Sequence, residues 1–216
     1  SVCLGGNNNV TASTQAVAIG GGDNTAGSGA LATAAVIIGT QTGTISGTGV
    51  NSAIIAGNTQ TISAAATNSF IGGGNTNRIQ SSNSGVIAGA NNLVTNTNAG
   101  IFVGTGNTVS ANASVALGGQ NQDISGAFSI AAANSGATTQ ITSTNCVLLG
   151  NTGTVSGPFP KTVSICNGTA IPSSTGMIMI GTDDPAVLAG DRSIIIGGTR
   201  AGINRSQVNG ADAVAI

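Results

Sequence analysis

Apolar and polar positions follow a short repeating unit along the chain, which recurs about every 16 residues. Each unit has an apolar tripeptide and a glycine, then a turn rich in Gly, Asn and Thr, and then one Val or Ile followed by polar residues. The segment from Ser114 to Ile124 shows the complete unit. Short apolar runs bounded by turn residues indicate strands, so each unit predicts two strands separated by a corner. The corner glycines are Gly5, Gly20, Gly39, Gly57, Gly72, Gly89, Gly104, Gly118, Gly150, Gly168, Gly181 and Gly197.

The second strand of each unit centres on the later aliphatic residue. A two-strand unit is too short to bury its apolar residues alone, so it must stack on its neighbours. We therefore predict an all-β fold, a parallel β-solenoid (β-roll) of about fourteen short two-strand coils, in a single repeat domain over residues 1–216. The centres of the predicted second strands are Val10, Ile45, Ile62, Ile79, Val94, Val109, Ile124, Ile141, Val155, Ile171, Val187 and Ile203, with Thr25 at the weak position of the second unit.

The position two residues before the corner glycine carries no charge and no hydroxyl in any unit. Side chains alternate along a strand, so this position should face outward if its neighbours, such as Val115 and Leu117, face the coil interior. Strands that are apolar on both faces are typical of strands buried on both sides. We expect the outward row to line the axis of a parallel homo-oligomer. Its main members are Ile37, Ile55, Phe70, Ile87, Phe102, Ala116, Leu148, Cys166, Met179 and Ile195.

The size of this row sets the expected strength of association. Eight of its side chains are large, and their burial would contribute roughly 12–24 kcal/mol per chain as an upper bound. That range matches or exceeds the ~4–15 kcal/mol that association costs. A cross-section that admits Phe, Ile and Ala in different layers suits three chains. The alternative is that the row packs against another domain of the same chain.

Two motifs resemble known repeats. The strands Ser114–Gly118 and Ala16–Gly20 resemble the S-V-A-I-G strand in the head repeats of trimeric autotransporter adhesins. The segment Ser69–Ile79 is similar to the I-G-G-G-N-x-N-x-I repeats of phage and large-virus fibre proteins. The resemblance covers nearly the whole chain, although the coil length here varies more than in the adhesin heads. It implies a left-handed parallel β-roll that forms a homotrimer about its long axis.

The resemblance also implies a function and a location. We expect a structural segment of a trimeric extracellular fibre, which spaces or presents an attachment tip on a cell or virion surface. We further expect residues 1–216 to be a fragment of a longer fibre, with a host-surface glycan or protein receptor as a partner of the whole. The alternative is a virion or phage tail fibre or tailspike that binds host glycans. A third and weaker alternative is ice binding, which requires a flat, regular Thr array.

Composition excludes several partners. Charged residues make up 5% of the chain and the net charge is −1, so no basic surface is available to bind nucleic acid. The longest apolar run, Ala30–Ile38, is far shorter than the ~20 residues that cross a bilayer, so we expect no membrane insertion by this segment. Charges concentrate in residues 177–216, which predicts ion pairs between chains, the approach to a neck or a further domain, or a solvated edge.

No catalytic set can be assembled from the sequence, and we expect no enzymatic activity. The chain has no His and no Glu, and the adjacent carboxylates Asp183 and Asp184 suit a turn. A tailspike-type glycosidase would need two carboxyl groups about 5–9.5 Å apart. The three cysteines lack the spacing of a metal site, so we expect no metal and no cofactor.

Overall fold

The computed structural model of the chain describes residues 1–7, 10–11, 15–26, 34–46, 51–63, 65–133, 139–150, 153–155, 161–166, 169–171, 175–181, 191–196, 212 and 214–215. These residues contain 25 short β-strands and no helix. They belong to two compact units, Ser1–Ser110 and Ala111–Ile216.

The first unit consists of two parallel sheets, and the chain visits them alternately. Each strand pairs in parallel with the strand two places further along the chain, which is the pairing pattern of a solenoid. The strands of the first sheet are β1 (Val2–Leu4), β3 (Val17–Ile19), β5 (Val36–Ile38), β7 (Ala53–Ile54), β9 (Phe70–Ile71), β11 (Gly85–Val86) and β13 (Gly100–Ile101). The strands of the second sheet are β2 (Val10–Thr11), β4 (Thr25–Ala26), β6 (Gly43–Ile45), β8 (Gln60–Ile62), β10 (Arg78–Ile79), β12 (Leu93–Val94) and β14 (Thr108–Val109).

The second unit has the same arrangement of a first and a second parallel sheet. Its first sheet contains β15 (Val115–Gly119), β17 (Ile130–Ala133), β19 (Val147–Gly150), β21 (Val163–Cys166), β23 (Ile178–Ile180), β24 (Ile194–Ile196) and β25 (Val214–Ala215). Its second sheet contains β16 (Gln122–Ile124), β18 (Thr139–Ile141), β20 (Gly153–Val155) and β22 (Thr169–Ile171).

The predicted all-β parallel solenoid is therefore confirmed. Every predicted second-strand centre from Val10 to Ile171 lies in a second-sheet strand, and Thr25 begins β4, as expected for the weak unit. Val187 and Ile203 lie outside the described residues. The loose period is also confirmed, because the offset between paired strands ranges from 14 residues (Ile141 to Val155) to 20 (Ile194 to Val214).

The core of each unit lies between its two sheets, where alternate residues of every strand point inward. In the first unit the second sheet contributes Ile45, Ile62 and Ile79, which have no exposed surface. The facing residues of the first sheet are equally buried and include Ile54 and Ile71. Each coil contributes one inward aliphatic side chain from each of its two sheets. The core is therefore a continuous double row of small and medium aliphatic side chains.

Each coil turns at corners that require a left-handed backbone. In the first unit, Asn51, Asn68 and Asn83 have φ between 53° and 55°, a region that Asn tolerates better than most residues. At another corner Gly74 has φ of 103°, and a Cβ there would lie 1.9 Å from the carbonyl oxygen of Gly89. Glycine is therefore required at Gly74 both by its φ and by the closeness of the next coil.

Candidate interaction surface

The outer face of the first sheet in the first unit is apolar, and this surface is the candidate site. Its large side chains include Ile55, Phe70, Ile87 and Phe102, which are 39%, 38%, 47% and 53% exposed. Phe70 lies in β9, and the other three directly follow β7, β11 and β13. Aliphatic and aromatic side chains rarely form such a continuous exposed row on a monomer, so this face is a surface that favours contact with a partner.

The first sheet of the second unit has an apolar outer face as well. Its outward side chains are between 36% and 41% exposed at Leu117, Ile130, Ile165, Ile178 and Ile180, and Ile196 is also exposed. All of them lie in strands of that sheet. Each unit, taken by itself, therefore presents one apolar sheet face to its surroundings.

The second sheets differ, because the described residues on their outer faces are mostly polar. In the first unit the outward positions include Thr44, Thr61 and Thr108 and the exposed Arg78, with Leu93 as an apolar exception. In the second unit Gln140 occupies an equivalent exposed position. A continuous apolar outer face is thus present on one of the two sheets in each unit, which makes it a property of that face rather than of the whole chain.

The predicted axial row divides into residues that face outward and residues that face inward. Ile55, Phe70, Ile87 and Phe102 lie on the apolar outer face, as expected. The prediction is wrong for Ile37, Ala116, Leu148 and Met179, whose side chains are at most 1% exposed and point into the core. Cys166 lies in β21 and Ile195 lies in β24, but the described side chains do not include these two.

The error comes from counting the strand phase from the corner glycine. Gly39 follows the inward-facing Ile37 by two positions. Gly57, however, follows the inward-facing Ile54 by three positions. Because side chains alternate with a period of two, an offset of one residue exchanges the two faces. The apolar tripeptide correctly indicated that both faces are apolar, but the glycine does not mark which residue faces outward.

A buried serine gives the correct phase. Ser52, Ser69 and Ser84 each stand two residues before the inward-facing aliphatic residue of their strand, and each is at most 5% exposed. The same spacing occurs in the second unit, where Ser114 precedes Ala116. The signal in the sequence that marks the inward phase is therefore a small residue directly after the left-handed corner.

These serines connect successive coils and so hold the apolar face in register. The Oγ of Ser52 accepts a hydrogen bond from the backbone N–H of Ser69 at 3.2 Å. The Oγ of Ser69 in turn accepts from the N–H of Ser84 at 3.4 Å and donates to the carbonyl oxygen of Ser81 at 3.1 Å. In the second unit, the Oγ of Ser114 accepts from the N–H of Ser129 at 3.1 Å. The hydroxyls therefore satisfy backbone groups at a buried corner that the strands leave unpaired.

A ladder of buried amides fixes the opposite corner of the first unit. The Oδ1 of Asn77 accepts from the N–H of Asn92 at 3.1 Å, and the Oδ1 of Asn92 accepts from the N–H of Asn107 at 3.1 Å. The Nδ2 of Asn92 donates to the carbonyl oxygen of Gly104 at 2.9 Å. Asn92 lies in one of the Asn-rich turns, but its side chain is buried and joins three successive coils.

The charged residues near the end of the second unit contact one another within the chain. Arg192 forms an ion pair with Asp212 at 2.7 Å, and both side chains are more than 60% exposed. The backbone N–H of Thr175 donates to Asp191, and this hydrogen bond lowers the pKa of the Asp191 carboxyl. These contacts agree with a solvated edge for the described charges. Asp183 and Asp184 lie outside the described residues.

The cysteines and acidic residues offer little chemistry among the described residues. Cys3 is exposed, whereas Cys146 is buried, and burial raises the pKa of the Cys146 thiol. Within the described ranges, no three side chains of His, Cys, Asp or Glu converge in a way that could hold a metal ion. In the same residues no helix is long and apolar enough to cross a membrane.

Comparison with known proteins identifies no relative: no family model, no curated protein and no solved structure matches the chain.

Proposed function

We propose that this chain is a structural segment of a homotrimeric extracellular fibre, which spaces or presents an attachment tip. The observation that carries the proposal is the contrast between the two sheets. The first sheet of each unit is apolar outside as well as inside, while the second sheet has a polar outer face. A solenoid that acts alone in water needs only one apolar face per sheet, so the additional apolar face favours burial against other copies.

The energy available from this face is adequate for association. The ten outward side chains named above, four in the first unit and six in the second, are a third to a half exposed. Burying the exposed part of each contributes about 0.5–1.5 kcal/mol, or roughly 5–15 kcal/mol per chain. This sum is comparable with the ~4–15 kcal/mol cost of association. Removal of a few of these side chains should therefore be enough to dissociate the assembly.

The number of copies and the setting come from the resemblance to fibre repeats. A trimer arranges three identical apolar faces around one axis and leaves the polar second sheets outside. The left-handed coil and the cell or virion surface belong to the same proposal. The near absence of charge agrees with a role that is not electrostatic, because neither nucleic acid nor an acidic membrane surface would be attracted.

The polar corners support a second candidate, a tail fibre or tailspike segment that contacts host glycans. Asn58, Thr59, Asn75 and Thr76 are exposed on successive coils and offer amide and hydroxyl groups that sugars can bind. Ice binding is weaker, because Arg78 and the next outward residue Leu93 interrupt the Thr positions of the second sheet. A glycan panel probed with the chain separates spacer from binder: a spacer gives no signal, and saturable binding supports the tail-fibre alternative.

Sedimentation of two matched variants tests the proposal. Ile87→Asp puts a charge on the outer face of the first sheet, and Thr108→Asp puts the same charge on the outer face of the second sheet. We expect the wild-type chain and Thr108→Asp to sediment as trimers and Ile87→Asp to sediment near the 20.5 kDa of one chain. A monomeric wild-type chain, or equal behaviour of the two variants, contradicts the proposal.

A further inference from the structure

Two glycines on the apolar outer face have no explanation within the chain. Gly85 begins β11 and Gly100 begins β13, and both are half-buried strand residues that pair with each other. Neither has a φ in the left-handed region. A Cβ at Gly85 would lie 3.8 Å from the carbonyl oxygen of Phe70, and one at Gly100 would lie 3.6 Å from that of Gly85. These are ordinary contacts, so the fold itself would accept a side chain at either position.

Other glycines of the same unit are required by the fold, which makes the contrast informative. Gly74 cannot carry a side chain, because its φ is 103° and a Cβ would lie 1.9 Å from the next coil. Gly72, which is on the same outer face, would place a Cβ 2.5 Å from the carbonyl oxygen of Ile87. Glycine inside a strand is otherwise unfavourable and often marks a place where another molecule approaches closely. Gly85 and Gly100 therefore indicate a close approach from outside the chain.

In two neighbouring coils, the first outward position holds a small residue and the second holds a large one. Each coil of this part of the first sheet has two outward positions, separated by one inward residue. At β11 they are Gly85 and Ile87, and in the next coil they are Gly100 and Phe102. In both coils the position nearer the start of the strand is empty, and the later position holds a large side chain that is about half exposed.

We propose that Ile87 and Phe102 of one copy pack over Gly85 and Gly100 of the neighbouring copy at the same coil level. This proposal rests on the proposed function, since it specifies how the copies of the fibre meet. When the copies surround an axis parallel to the coil stack, two different edges of the apolar faces meet. The edge of one face that carries Ile87 and Phe102 then lies beside the edge of the next face that carries the glycines. Each large side chain then enters the space above a glycine, and the backbones approach more closely than two rows of isoleucines would permit.

An antiparallel pair of copies fills the spaces above the glycines less completely than a parallel pair does. If two faces meet with their coil orders reversed about β11, Ile87 lies opposite Ile87 and Gly85 opposite Gly85. The large side chains then collide while the space above the glycines stays unfilled, and unfilled space loses packing energy. The pattern of small and large residues thus favours a parallel assembly in which equivalent coils lie side by side.

Exchanging the small and the large outward residue of one coil tests this arrangement in the full chain. Gly100→Phe fills the space, so the neighbouring Phe102 has no room and the assembly weakens by about 10- to 100-fold in dissociation constant. The double variant Gly100→Phe with Phe102→Gly moves the large side chain to the other edge and restores one large and one small residue per contact. We expect the double variant to assemble within about threefold of the wild-type chain.

The controls separate a packing effect from a folding effect. Because the fold has room at this position, Gly100→Phe measured at monomer concentrations should keep the melting temperature of the wild-type chain. Gly74→Phe, in contrast, should disrupt folding itself. If the double variant dissociates as readily as Gly100→Phe while the wild-type chain assembles, the packing inference is overturned and the proposed function stands. If the wild-type chain stays at 20.5 kDa in light scattering, both fail.

Discussion

The side-chain Nδ2 of Asn92 donates a hydrogen bond to the Oδ1 of Asn77 at 3.0 Å, and neither side chain is more than 1% exposed. Asn77 also donates from its Nδ2 to the carbonyl oxygens of Gly73 and Gly89, both at 2.9 Å. One amide thus satisfies backbone groups of its own coil and of the next. In a chain with few large core residues, this ladder joins coils that have only two or three residues per strand.

Replacing one amide of this ladder should destabilise the fold. In Asn92→Ala the N–H of Asn107 loses the Oδ1 of Asn92, and the carbonyl oxygen of Gly104 keeps only its bond from the N–H of Ala90. Since a lost hydrogen bond to a buried group costs about 1–3 kcal/mol, we expect the free energy of unfolding to fall by that amount in chemical denaturation. The exposed Asn75→Ala is the control and should change it by less than ~0.5 kcal/mol. Equal effects would contradict a structural role for the ladder.

The position of Gln60 in the same ladder predicts a stabilising change. Its Oε1 accepts from the N–H of Asn77 at 3.0 Å, but its buried Nε2 has no hydrogen-bond partner among the described residues. The shorter Gln60→Asn side chain should accept the same N–H and donate to a corner carbonyl, as Asn77 does. We expect the free energy of unfolding to rise by about 1 kcal/mol.

The matched variant Gln60→Leu removes the unpartnered nitrogen but also the acceptor for Asn77. It should destabilise the chain in the same denaturation experiment. If Gln60→Asn and Gln60→Leu both destabilise, the corner does not accept a shorter amide in the way that Asn77 does.

The fold was largely predictable from the sequence, whereas the orientation of the first strands was not. Residues such as Ile62 and Val109 mark the second strands, because a single aliphatic residue between polar residues has only one inward position. The first strands are apolar at three successive positions, as at Val36–Ile38, so alternation alone cannot say which residue faces outward. The buried amides were also missed, since Asn77 and Asn92 are surrounded by turn residues in the sequence.

The left-handed corners predict a second stabilising change, in the second unit. Ala113 has φ of 52°. Asn98 in the first unit, one residue before a buried alanine, has a similar φ of 55° but is an asparagine. Because Asn tolerates this region and Ala is strained there by roughly 1 kcal/mol, Ala113→Asn should raise the melting temperature. The control is Ala132→Asn, in the extended strand β17, which should give no gain. A gain at both positions would mean that backbone strain is not the cause.

The hydrogen bond between Thr175 and Asp191 predicts a pH dependence. It lowers the pKa of Asp191 below its usual value of 3.8, so the carboxylate contributes stability that is fully present above pH 3.8. That contribution disappears as the pH falls through the lowered pKa. The melting temperature of the wild-type chain should exceed that of Asp191→Asn at pH 7, and the difference should shrink below pH 4. A difference that stays constant down to pH 2 would contradict this.

Solvent access to the apolar face distinguishes a face that other copies cover from a face that stays in water. Single cysteines are introduced as Ile87→Cys on the first sheet and Thr108→Cys on the second, in a background where Cys3, Cys146 and Cys166 are alanine. Thiol labelling is then followed over a range of protein concentrations. Because other copies cover the first sheet, we expect labelling at position 87 to slow as the concentration rises, while labelling at position 108 stays equally fast. Equally fast labelling of both positions at every concentration would contradict burial of this face by other copies.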